Sequence, residues 1–158
     1  MADYGPQKAS AALPYAYRWV ITTLEPLIVL GGILHTMTNP ADFLATMTRD
    51  SVPYDPRTHF LYTELAGAWI LLLFLEVFAL RHLDDLRVWR WVCFGVALQD
   101  AFFLWSVAEA LGGWEVWKDV AGWERTDWLV FWTTAPAVIV RVLILLGIGV
   151  KEARPKRA

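Results

Sequence analysis

Four ionisable residues lie within apolar stretches long enough to cross a bilayer: Glu25, Glu76, Asp100 and Arg141. A charge at that depth is costly, so an ionisable group there indicates a functional site. Arg141 is expected to pair with Asp100 and Glu25, which a helical rise of about 1.5 Å per residue places at similar depths. One arginine neutralises only one carboxylate, so a surplus acid keeps a proton or lies beside water. Such a set of groups is suited to general acid/base catalysis.

The pocket around these groups is expected to have a second polar layer and apolar walls. His35 and Glu64 fall in the outer halves of their apolar stretches and are predicted to contact a substrate. Aromatic side chains are predicted to line the apolar part of the pocket, where they could hold a polyene or stabilise a developing cation. The aromatic residues assigned to substrate binding are Tyr62, Trp105 and Trp132.

Other chemistry is disfavoured by the motifs of the chain. His35 and Glu64 could form half of a metal site, but the other histidines lie in different flanks, so no metal is expected. The sequence contains no Ser-His-Asp order, no glycine-rich phosphate loop and no dinucleotide fingerprint, so no cofactor is expected. Cys93 is the single cysteine and is interpreted as a small buried hydrophobe.

Composition indicates an integral membrane protein. The chain has 158 residues, of which 57% are hydrophobic and 15% aromatic. Its formal net charge is −2, and no basic stripe is present, so nucleic acid is excluded as a partner. The expected partners are the lipid bilayer and a lipophilic small molecule.

The elements that must position the charges are predicted to be four transmembrane helices in a single all-α domain, residues 1–158. About 20 residues cross the hydrocarbon core of a bilayer. Four segments reach that length: 15–36, 60–80, 88–111 and 128–150. The first loop is predicted to contain a short amphipathic helix that starts at Asn39-Pro40. The loop before the last segment carries several tryptophans and should lie flat on the membrane.

Lysine and arginine are more frequent beside the termini and the middle loop than beside the other two loops. The positive-inside rule therefore predicts that both termini are cytoplasmic. The first span is expected to act as an uncleaved signal anchor, and the basic tail 151–158 as a surface anchor. The endoplasmic reticulum is the expected location.

Small residues and prolines within the spans predict local features of the backbone. Gly31 and Gly32 favour a close helix contact, and association of two copies through the same face is a further hypothesis. Pro26 and Pro136 are expected to loosen the backbone of the first and last spans.

Several segments resemble an uncharacterised fungal family of small four-helix integral membrane proteins. The matching positions include Leu24-Glu25-Pro26, Glu76, Leu86-Arg87-Val88-Trp89, Asp100, Trp117-Lys118-Asp119-Val120 and Arg141-Val142. The chain also resembles the small membrane epoxide hydrolases of fungal polyene-pyrone pathways, of the aurovertin and citreoviridin kind. That resemblance implies opening of an epoxide, followed by hydration or ring closure, with one carboxylate as acid, another as base and Arg141 holding them in register.

Other functions remain open at this point. The architecture is similar to that of EXPERA-type isomerases and membrane-bound terpene cyclases, which also place carboxylates in a helical bundle, although that similarity alone transfers no activity. A non-catalytic lipophile-binding or assembly protein would use the charges as staples between helices, and it predicts a closed bundle. A proton-coupled carrier is less favoured, because four spans without inverted halves offer little symmetry for alternating access.

Overall fold

A computed structural model describes residues 7–151 of the chain, and every regular element in that range is helical. We number the helices α1 to α7, and α4 includes an initial 3-10 turn. Their bounds are Ala9–Ala12 (α1), Tyr15–Thr38 (α2), Pro40–Thr48 (α3), Pro56–His82 (α4), Leu86–Ala110 (α5), Trp114–Lys118 (α6) and Arg125–Leu145 (α7). Four of them, α2, α4, α5 and α7, are long and apolar enough to cross a membrane. The predicted all-α class and the four apolar spans are confirmed.

The last span differs from its predicted bounds of 128–150. It begins at Arg125 because Glu124 and Asp127 form a capping box, in which Asp127 Oδ2 accepts a hydrogen bond of 2.7 Å from the Glu124 backbone N–H. It ends at Leu145 because Gly147 and Gly149 adopt a φ of +73°, which glycine accommodates at little cost. The prediction that the helix continues to Val150 is therefore wrong. Of the predicted tail 151–158, only Lys151 falls within the described residues.

The spanning helices form a bundle that is open on one side. Helix α2 packs against α4 and α7, and α7 packs against α5. Helices α4 and α5 are joined by the short turn 83–85 but are not closely packed along their lengths. The bundle therefore has a gap between α4 and α5.

The contact between α2 and α4 depends on Gly32. A Cβ atom on Gly32 would lie 2.9 Å from Trp69 Cζ3, whereas a Cβ on Gly31 would have no atom within 4 Å. The predicted close helix contact is thus made by Gly32 within one chain. Trp69 covers part of Gly32, which is half-buried, whereas Gly31 is exposed, and association of two copies through this face stays a prediction.

Two π-helical turns distort the spanning helices. Residues Val20–Leu24 form one in α2, and Phe74–Ala79 form the other in α4. Pro26 lies just after the π turn of α2 and has no N–H to donate to the carbonyl of Thr22. The Thr22 carbonyl instead accepts a hydrogen bond from Arg81 Nη2, on α4. The loosened backbone expected near Pro26 is thus present, while Pro136 lies inside α7 without ending it.

Helix α3 is the short amphipathic helix predicted for the first loop. Its first turn is capped by Asn39, whose side chain accepts from the Asp42 N–H. It contacts α5 and α7, and Arg49 Nη2 lies 2.7 Å from Asp127 Oδ2 at the start of α7. Helix α3 therefore covers the end of the bundle that is remote from residues 7 and 151, which we call the loop end.

The opposite end, where residues 7 and 151 lie, is closed by α1. Ala9 and Ala12 are buried in the same apolar cluster as Leu86. The Lys151 N–H donates to the Ala12 carbonyl, at 2.9 Å. We call this the terminal end of the bundle. Its orientation relative to the cytoplasm stays a prediction.

Detachment of α1 at acidic pH is the first testable expectation. Asp84 Oδ1 and Oδ2 accept from the N–H and Oγ–H of Ser10, at 2.7 and 2.6 Å. These hydrogen bonds hold the pKa of Asp84 below its ordinary value of 3.8. Because the folded-state pKa is depressed, the stabilisation is complete above the unfolded pKa and is lost as the pH falls through the folded one. The protection factors of residues 7–13 in hydrogen exchange, which correct for the intrinsic rate at each pH, should therefore fall on acidification below about pH 4.

The control for that measurement is the neighbouring residue Asp85, which accepts from the Arg87 N–H at 2.7 Å and has no contact with Ser10. Asp84→Asn should accelerate exchange at residues 7–13 already at neutral pH, and Asp85→Asn should not. Equal exchange in both variants and the wild type would contradict the role given to Asp84.

The second expectation concerns Gly32. Gly32→Ala should lower the thermal unfolding midpoint in detergent, because the new methyl group collides with the Trp69 ring. Gly31→Ala is the matched control and should leave the midpoint unchanged or raise it slightly. Gly32→Ala combined with Trp69→Leu should recover part of the loss. A Gly32→Ala variant as stable as Gly31→Ala would show that the contact is unimportant.

Candidate active site

Arg141 is the centre of a buried cluster to which each spanning helix contributes one residue. Its side chain is 1% exposed and comes from α7. Nη1 donates to Asp100 Oδ2 on α5 at 2.6 Å, and Nη2 donates to Glu76 Oε1 on α4 at 2.8 Å. Nη2 also donates to Glu25 Oε1 on α2. We refer to these residues as the Arg141 cluster.

The expected pairing of Arg141 with Asp100 and Glu25 is present. Glu76 is not among the partners predicted for Arg141, yet the structure brings it to the same guanidinium. It lies within the π turn Phe74–Ala79, and a π turn changes the direction in which the following side chains point. That turn cannot be read from the apolar pattern of α4, so the sequence indicated the right residue but not its contact.

The cluster holds more acid groups than its one guanidinium can balance. Three carboxyl groups contact Arg141, which gives a formal charge of −2 if all are ionised. The carboxyl groups of Glu25 and Glu76 both accept from Nη2 of Arg141, so they lie side by side. Their Oε2 atoms are buried and accept from no donor in the described part of the chain. A proton on either of these two carboxyls would reduce the formal charge of the cluster to −1.

Glu25 and Asp100 also lie on the wall of a cavity of about 410 Å³, within the range of sites that hold small molecules. Arg141 and Glu76 do not line it. Most of the wall is apolar or aromatic and includes Leu27, Ile28, Trp69, Leu72 and Phe103. The cavity is bounded at the loop end by residues of α3, including Phe43 and Met47. Two acid groups thus face an otherwise mainly apolar space.

Several uncharged polar residues in this cavity were not identified from the sequence. Gln99, Thr133 and Thr134 all line it. Gln99 is exposed near the middle of α5, next to Asp100. A glutamine side chain in the middle of a transmembrane helix is unusual, so Gln99 could have been identified from the sequence. Thr133 and Thr134 could not, because threonine is common in transmembrane helices.

Of the residues predicted to bind substrate, His35 alone lines the cavity. Tyr62 packs edge to face on Phe43, with ring centroids 6.2 Å apart, and does not line the cavity. Glu64 is exposed on α4, and Trp105 and Trp132 are 55% and 62% exposed. The predicted positions of these last three in the pocket are wrong, because span length fixes depth but not the rotation of each helix about its axis.

Cys93 is 1% exposed and packs in the apolar cluster near the terminal end, as expected for a buried hydrophobe. Within residues 7–151, no group of three or more histidine, cysteine, aspartate or glutamate side chains is arranged to hold a metal ion.

These features define a class of protein: an all-helical chain with four helices able to cross a membrane and an arginine–carboxyl cluster beside an apolar cavity. The model of the family described as "Domain of unknown function (DUF7704)" matches residues 10–151, and the chain belongs to this family. No curated protein and no solved structure matches the chain.

The third prediction concerns Arg141. Arg141→Leu leaves buried carboxyls without their cation, a change that costs about 3–5 kcal/mol in comparable buried pairs. We expect a large loss of folded yield and of the thermal midpoint in detergent. Arg57→Leu is the control, because Arg57 is exposed near the start of α4. A stable Arg141→Leu protein would contradict the view that Arg141 holds the bundle together.

Proposed function

We propose that this protein is a membrane-embedded, cofactor-independent acid/base enzyme that opens an epoxide of a lipophilic polyketide, by hydrolysis or by ring closure. The observation that carries the proposal is the position of Glu25 and Asp100. Both contact Arg141, and both line the same apolar cavity. An ion pair that only holds helices together has no need to place two of its acidic residues on the wall of a cavity.

Glu25 is the proposed acid. It contacts the same nitrogen of Arg141 as Glu76, which does not line the cavity, so a proton held by this pair reaches the substrate through Glu25. Protonation of the epoxide oxygen by the Glu25 carboxyl accompanies breaking of one carbon–oxygen bond and leaves a hydroxyl group on the product. Glu76 then acts as a positioning residue, because it contacts Glu25 and Arg141 but no substrate.

Asp100 is the proposed base. Its contact with Arg141 favours the ionised carboxylate. It accepts a proton from a water molecule while the water oxygen bonds to the epoxide carbon, so that epoxide and water give a diol. Where a hydroxyl of the same substrate attacks instead, the product is a cyclic ether and no water is consumed. In both cases Glu25 loses one proton and Asp100 gains one, so transfer of that proton from Asp100 back to Glu25 restores the starting state, and no cofactor is required.

Access from the bilayer agrees with a lipophilic substrate. Helices α4 and α5 are not closely packed, and the cavity is lined by Trp69 and Leu72 of α4 and by Gln99 and Phe103 of α5. An apolar molecule dissolved in the membrane can enter between these two helices without crossing water. The lysine and arginine distribution supports cytoplasmic termini. The endoplasmic reticulum is proposed as the default location for a membrane enzyme of this kind.

A second candidate is supported by the aromatic wall. Phe43, Trp69 and Phe103 surround the cavity, and aromatic faces stabilise cations. The same acid could therefore protonate an alkene and start a terpene cyclisation or a double-bond isomerisation. Non-catalytic lipophile binding is the remaining alternative.

The fourth prediction separates these functions. Membranes containing the wild type are incubated with a panel of polyene and terpenoid epoxides and alkenes, and the products are analysed by mass spectrometry. Epoxide opening should be reduced at least about 100-fold in Asp100→Asn and in Glu25→Gln, the usual size of an acid/base contribution. The folded yield of Asp100→Asn should stay near that of the wild type, because the amide keeps an acceptor for Arg141.

Glu109→Gln is the control, because Glu109 is exposed near the end of α5 and contacts no member of the Arg141 cluster. It should turn over epoxides like the wild type. Full activity in Asp100→Asn would remove Asp100 from the mechanism. Conversion of alkenes alone would favour the cyclase or isomerase, and no conversion in the whole panel would favour a non-catalytic protein.

A further inference from the structure

A second polar group borders the cavity at the loop end. His35 lines the cavity, and its Nε2 lies 2.7 Å from Asp42 Oδ2 on α3. A carboxylate at Nε2 holds the proton of a neutral imidazole on that nitrogen and leaves Nδ1 as a hydrogen-bond acceptor. Nδ1 of His35 has no partner within the described chain.

The other two histidines differ from His35 in this respect. Nδ1 of His82 is bonded to the Phe78 carbonyl at 2.8 Å, and Nδ1 of His59 is bonded to the Tyr54 hydroxyl at 3.0 Å. Neither of them lines this cavity. His35 therefore combines a fixed ring orientation with an acceptor that the protein itself leaves unused.

The separation between His35 and the Arg141 cluster defines a length. Glu25 and His35 are ten residues apart on the regular α-helical part of α2, Glu25–Thr38, which corresponds to about 15 Å along the helix. An extended chain advances about 1.2 Å per covalent bond, so roughly 12 bonds span that distance. The wall between the two polar ends is mainly apolar, with Leu27 and Ile28 on α2.

We propose that His35, held by Asp42, binds a hydroxyl group at the far end of an elongated lipophilic substrate whose reacting group lies at Glu25 and Asp100. The substrate class is thus a molecule with two polar ends separated by an apolar segment of about 15 Å. The hydroxyl donates its hydrogen to His35 Nδ1. This inference rests on the proposed function for the nature of the reacting group, but the binding of the hydroxyl end does not depend on turnover.

The test uses two straight-chain terminal epoxides of roughly 12 carbons, which differ only at the end remote from the epoxide. One carries a hydroxyl there and the other a methyl group. Binding to purified protein in detergent is measured from the ligand-dependent rise of the thermal unfolding midpoint, and turnover is measured in parallel. The wild type should bind the hydroxyl-ended probe roughly five- to tenfold more tightly, as one hydrogen bond provides.

Substitutions test whether His35 causes the preference for the hydroxyl-ended probe. His35→Leu should abolish it while keeping the affinity for the methyl-ended probe, and Asp42→Asn should weaken it because the imidazole loses its orientation. His59→Leu is the matched control and should keep the preference in full. The inference is overturned if the wild type binds neither probe, if it does not discriminate between them, or if His35→Leu still prefers the hydroxyl.

The parallel measurement of turnover keeps the two proposals apart. A His35-dependent preference without turnover would support this inference and count against epoxide opening. Turnover of both probes without a preference would support epoxide opening and count against the role of His35.

Discussion

The bundle depends on one buried guanidinium. Arg141 contacts a carboxyl from each of the other spanning helices, so the rotation of α2, α4 and α5 about their axes is fixed relative to α7. In hydrocarbon, a carboxylate that lost this contact would be an uncompensated charge, which is far more costly there than at a water-exposed surface. The interaction that orients the helices is therefore the same one that collects the acid groups in one place.

The rest of the structure places this cluster beside an apolar cavity. Helix α1 packs across the terminal end, and α3 covers the loop end. Between them, Glu25 and Asp100 lie on the cavity wall while Glu76 stays behind it. A surplus of carboxyls over cations is unfavourable for stability alone, because each further acid adds a desolvation cost. The proposed acid/base chemistry would explain that surplus, and the gap between α4 and α5 is the proposed route for a lipophilic substrate.

The sequence predicted the depth of residues along the spans well, but it predicted the rotation of each helix about its axis poorly. Span length and hydropathy located the four apolar helices, and the rarity of intramembrane charge identified Glu25, Glu76, Asp100 and Arg141. Trp105 and Trp132 were misplaced because apolar residues occur on every face of these helices, so no polar face indicates which side is inward. The π turns beside Glu25 and around Glu76 leave the apolar pattern of α2 and α4 unchanged, so the sequence does not reveal them. Gln99 carries no charge, so the rarity of intramembrane charge did not identify it.

The most direct test of the account is a single turnover of a lipophilic epoxide by purified protein in water labelled with oxygen-18. If Glu25 and Asp100 act as acid and base toward water, the diol formed in the first turnover carries the label, and both carboxyls stay unlabelled. Label found in the Asp100 or Glu25 carboxyl, with an unlabelled diol, would show that the carboxylate attacks the epoxide directly. That result, or the absence of any epoxide opening, would contradict the account.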